Sequence, residues 1–104
     1  MYDKPFRWSE TKNDRLKAER RVSFQDVVKA IEGGDLLDVL EHPNPVRYPH
    51  QQVFVVEFEG YVYFVPFVDA EEGCFLKTII PSRKATREYL HKGKSDDQAQ
   101  VDQR

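Results

Sequence analysis

The clearest hydrophobic signal in the chain is Phe24, Val27, Val28 and Ile31, apolar at i, i+3, i+4 and i+7. That spacing lines one side of an α-helix. Ser23 precedes it as an N-cap with Asp26 at the capping-box position, and Gly33-Gly34 supplies the stop. A more polar helix comes before, capped by Ser9 and running to about Arg20, with only Leu16 and Ala18 as its apolar side. Beyond the glycines the hydrophobic period shortens to that of strands. Leu36–Leu40, Gln52–Phe58, Tyr61–Val68 and Cys74–Ile80 read as strands, and Phe6–Trp8 as a further short one. Glu59-Gly60 makes a tight hairpin turn, Asp69–Gly73 a second turn, and the proline-rich stretch from His42 to His50 a loop. Pro66 lacks an amide donor, which predicts an edge position or a bulge. Ser82–His91 is the last helix. From Gly93 the chain has almost nothing to bury, so residues 93–104 are expected to be a disordered tail.

The order β-α-α-β-β-β-β-α predicts one α+β domain over residues 1–92. Its sheet should be mainly antiparallel and four- to five-stranded, with two N-terminal helices and one C-terminal helix. Phe54, Val56 and Phe58 should face helices. The opposite face should carry Val53, Val55, and either Tyr61, Tyr63 and Phe67 or their neighbours, as a partly open surface.

Composition narrows the function. Hydrophobic residues make up 39% of the chain and charged ones 33%, which suits a soluble domain with one core. The net charge of −2 argues against nonspecific coating of nucleic acid and leaves room only for local basic patches. Cys74 is alone, which excludes an internal disulfide framework and a cysteine-rich zinc site. The three histidines lack ligand spacing and the glycines form no phosphate-binding loop, so no metal and no cofactor is expected. No apolar run approaches the ~18 residues of a membrane span. Met1 to Trp8 has no signal-peptide core, so a cytoplasmic protein with no membrane association is expected.

Candidate chemistry centres on Thr78 to Tyr89, a strand running into a helix whose first turn carries Arg83 and Lys84, with Arg87 one turn on. A helix N-terminus favours anions, so cations there oppose local stability until a negative group arrives. Arg83 and Arg87 are therefore candidates to hold and polarise a phosphate, with Lys84 assisting and Thr86 as a hydroxyl contact or a plain helix-surface residue. The alternative is a solvated basic helix face. His50 and Tyr48 are candidates for proton transfer, against a surface loop reading. Tyr61 and Tyr63 could stack on unpaired bases, although sheet packing explains them equally well. Lys12, Arg15 and Arg20 could form a second phosphate-facing strip, or a solvent-facing charged helix side. His91 reads as a cation complementing the end of the last helix.

Three strings occur in order at compatible spacing: Phe6-Arg-Trp8 followed by Lys12-Asn13, then Arg21-Val-Ser-Phe-Gln-Asp-Val27, then Ile79-Ile-Pro-Ser-Arg-Lys-Ala-Thr-Arg87. Together, from Phe6 to about Leu90, they resemble the BrnT family of ribonuclease toxins from type II toxin–antitoxin systems. The resemblance implies a RelE-like fold and metal-independent RNA cleavage. It also implies neutralisation by a cognate DNA-binding antitoxin, in a heterotetramer or larger assembly. Family members often carry Lys-His-Gly where this chain has Glu19-Arg20-Arg21. Without that histidine, a catalytically inactive RNA- or protein-binding module of the same fold is the second expectation.

Overall fold

A computed structural model describes residues 5–91; the expected tail from Gly93 lies outside the described residues. Strand β1 (Phe6–Arg7) leads into α1 (Glu10–Arg20) and α2 (Phe24–Glu32). Both helices begin as their caps predict. The Ser9 hydroxyl accepts from the Lys12 amide at 3.2 Å, and Ser23 with Asp26 forms a reciprocal capping box. Asn13 is fully buried between the helices. Its side-chain oxygen accepts from the Phe24 amide at 2.7 Å, and its side-chain nitrogen donates to Gln25 at 2.8 Å. One of the orphan amides at the start of α2 is thus satisfied from α1.

Strands β2 (Leu36–Glu41), β3 (Gln51–Phe58), β4 (Tyr61–Ala70), β5 (Gly73–Leu76) and β6 (Ile80–Pro81) follow. The sheet runs β1-β5-β4-β3-β2, with β6 also pairing β4. Glu59 and Gly60 have φ of 53° and 78°, the left-handed pair that a tight β3–β4 hairpin requires. The fold is α+β as expected, but two details differ. The sheet is mixed, because β1 pairs parallel with β5. It has six strands rather than four or five, because the expected strand Cys74–Ile80 is split into β5 and β6.

Pro66 explains the split. It lies in the interior strand β4, opposite Val53 of β3, and not on an edge. Its carbonyl accepts from the Lys77 amide at 2.8 Å, so it points away from β3. Within a strand residue the amide position points to the same side as the carbonyl. The missing donor therefore falls where the outer neighbour of β4 changes from β5 to β6, and the ladder to β3 loses nothing.

Alternation distributes the side chains between two faces. Phe54, Val56, Val65 and Phe67 pack with Leu16, Phe24, Val27 and Ile31 in the main core under α1 and α2. Tyr63 packs on the same side, so the neighbours of the tyrosines, Val62 and Phe64, take the opposite face. There Val55 and Val62 meet Ala85 of the last helix, with Leu37, Phe64 and Leu90 around them. Leu40, Phe75 and Ile80 keep 38%, 37% and 42% exposure, so the rest of the sheet's apolar residues are not all covered. Among the described residues, no helix is long and apolar enough to cross a membrane.

A basic cleft on the last helix

The last helix, α3, opens at Arg83–Thr86 and continues as one π-type turn over Arg87–His91. Its start is tied to β4 by two hydrogen bonds and braced within itself by two more. The Ser82 amide donates to the Val62 carbonyl at 3.0 Å, and the Ser82 hydroxyl accepts from the Ala85 amide at 3.1 Å. The Thr86 hydroxyl accepts from the Val62 amide at 2.8 Å and donates to the Ser82 carbonyl at 2.8 Å. Thr86 is buried. The expected helix-surface position is therefore corrected: its hydroxyl clasps helix to strand, and its donor and an acceptor position are both used inside the fold.

Arg83, Lys84 and Arg87 are exposed. Arg83 and Arg87 line one cleft of about 360 Å³ together with Thr86 and His91. Like charges four residues apart on a helix cost roughly 0.2–0.5 kcal/mol. Ser82 as N-cap offsets about 1 kcal/mol, and the Thr86 clasp adds more, so the fold tolerates the cation pair. Lys84 is not among the residues lining the cleft; it follows Arg83 directly and contributes charge beside the cleft. Tyr89, in the π-type turn, donates its hydroxyl to Asp38 of β2 at 3.2 Å. Burial and then this bond raise its pKa above the ordinary 10.0.

The remaining candidates lie elsewhere. His50 lines a separate cleft of about 270 Å³ with Glu41, Pro45, Pro49, Gln51, Gln52 and Asp69. The two clefts share no residue. Gln51 pairs with Val68, whereas Val55, beneath α3, pairs with Phe64. Four strand residues separate those levels by about 13 Å. Grouping His50 with Arg83 and Arg87 in one catalytic site is thus corrected, because they sit at different levels of β3.

Tyr48 is half-buried within its loop. Its ring lies 4.4 Å from that of His42, and the Arg47 guanidinium lies 5.5 Å from its ring centre. Tyr61 and Tyr63 form an edge-to-face pair 5.7 Å apart. They belong to the sheet face under α1 and α2, whereas α3 covers the other. Burial, with Glu59, Tyr61 and Asp26 after it, raises the Tyr63 pKa above 10.0. Lys12 lies in the first turn of α1, half-buried and on that same side of the sheet. Arg20 donates to the Ile79 carbonyl, pinning α1 to the start of β6 rather than standing in a strip with Lys12.

Sequence reasoning put His91 outside the site. Its signal was the repeat Arg83, Arg87, His91 at intervals of four, which marks one flank of a helix. Among the described residues, no group of three or more His, Cys, Asp or Glu side chains converges as a metal site. No protein-family model, curated protein or solved structure matches this chain.

Proposed function

We propose that this protein is a small endoribonuclease toxin of the BrnT type. It cleaves RNA without a metal, acts in the cytoplasm, and is neutralised by a cognate DNA-binding antitoxin in a heterotetramer or larger assembly. The observation that carries the reading is the pair of exposed arginines, Arg83 and Arg87, lining one cleft. Each guanidinium can meet phosphate oxygens in two places. Fixed cations aimed at developing charge are often the largest single contribution to such catalysis. Arg21 adds support. It ends α1 in the left-handed conformation, φ 58°, which favours glycine. Members of the resembled family often carry glycine at this place. Metal independence and the antitoxin follow from the resemblance alone.

The test is incubation of the purified protein with total RNA in the presence of a chelator. Cleavage is expected, and Arg83→Ala or Arg87→Ala should reduce it by about 10²-fold or more with an unchanged melting temperature. Full activity in both variants would remove the arginines from the mechanism. The separation of His50 and Tyr48 from the arginine cleft favours the second reading, a non-catalytic RNA- or protein-binding module. Retention of intact RNA by the wild-type protein would decide for that reading.

A further inference from the structure

The arginine cleft contains a third titratable side chain whose chemistry neither arginine can supply. His91 lines it four residues after Arg87, which itself follows Arg83 by four. In α-helical geometry residues four apart drift around the axis. The π-type turn over Arg87–His91, with its i→i+5 bonding, is wider and swings residue 91 back toward the Arg83 flank. Four residues advance a helix by about 6 Å, a span that long side chains bridge. The two arginines and His91 thus line one cleft from successive turns of the same helix.

The other two histidines do not line this cleft. His42 accepts from the Asn44 amide through Nδ1 at 3.0 Å and packs on Tyr48. His50 lines the separate cleft with Glu41 and Asp69. Arg83 and Arg87 share the cleft with His91 and Glu88 lies on the same turn; on β2, Asp38 is engaged by Tyr89.

We infer that His91 is the proton-transfer residue of this cleft, acting on the 2′-hydroxyl of an RNA strand held by Arg83 and Arg87. The inference rests on the ribonuclease reading above and adds to it the missing base. His91 takes the 2′-hydroxyl proton as the O2′–phosphorus bond forms and the phosphorus–O5′ bond breaks. The departing 5′ oxygen takes a proton from water, and His91 returns its own proton to the hydroxide left behind. The products are a 2′,3′-cyclic phosphate and a 5′-hydroxyl end, with no net proton consumed.

The experiment is single-turnover cleavage of a fluorescein-labelled single-stranded RNA by the full chain in chelator, across pH 5 to 8. Anisotropy reports RNA affinity, and melting temperature reports folding. His91→Gln should slow cleavage by about 10²–10⁴-fold at unchanged affinity and melting temperature, and abolish the rise of rate with pH. Free imidazole should restore cleavage in His91→Ala. Wild-type rates in both variants, a loss of RNA affinity that matches the loss of rate, or no rescue by imidazole would each overturn the assignment while leaving the nuclease standing. Absence of cleavage by the wild-type protein, with or without RNA retention, would instead overturn the ribonuclease reading and the role of His91 with it.

Discussion

Tyr63 shows how much a single residue's meaning depends on which face of the sheet it joins. In sequence it is a base-stacking candidate or a packing residue, and both need an aromatic in a strand. In the fold it packs against the core under α1 and α2, and burial with three nearby acids (Glu59, Tyr61 and Asp26) raises its pKa. The raised value means that the folded protein holds this proton more tightly than the unfolded chain does. Stability from this group is complete below pH 10.0, the ordinary value. It falls as pH rises through that value toward the folded one, because the unfolded chain then binds fewer protons. Urea midpoints measured from pH 8 upward should decline above about pH 10, and Tyr63→Phe should flatten the decline. An equally steep decline in the variant would place the effect elsewhere. Asn13 and Arg20 are similar cases. Both look like polar surface of a weakly amphipathic helix, yet one is buried between helices and the other pins a distant carbonyl. Local sequence carries no trace of partners 11 and 59 residues away.

At the scale of elements, helices with strong caps were legible, because a cap and the run it opens are neighbours in sequence. Ser23, Asp26 and the apolar repeat of α2 describe that helix completely. The split between β5 and β6 was not legible. It depends on Pro66, in β4, facing the gap between two segments that come later in the chain. The last helix lies between these cases. Its basic flank was visible as a spacing, but its attachment through Thr86 was not. Thr86→Val should leave the buried Val62 amide without its acceptor, costing about 1–3 kcal/mol in urea denaturation. RNA cleavage per folded molecule should persist, since the hydroxyl acts within the fold. A stability change below about 0.5 kcal/mol, the range of ordinary surface substitutions, would show that the clasp contributes nothing.

For the whole molecule, charge distribution matters more than charge. A net charge of −2 disfavours broad attraction to polyanions, so the proposed RNA binding requires a small basic area. If Arg83, Lys84 and Arg87 supply it, about three phosphates are neutralised. The slope of log affinity against log salt for single-stranded RNA should be about −2. A slope near −6 would require a far larger basic surface and would remove α3 as the principal site. The sheet separates the candidates. α3 and its arginines lie on one face, Tyr61, Tyr63 and Lys12 belong to the other side, and His50 sits at a different level of β3. The fold does not gather them into one cleft.

The chain by itself determined the α+β class, the two capped N-terminal helices, the β3–β4 hairpin and the basic flank of α3. Each of these rests on residues within a turn or two of one another, whose periodicity and capping act locally. Tertiary structure alone decided which face each tyrosine joined, where the ladder beside β4 breaks, and which histidine shares a cleft with Arg83 and Arg87. Those outcomes depend on strand pairing and layer packing, which bring together residues that local preferences never relate.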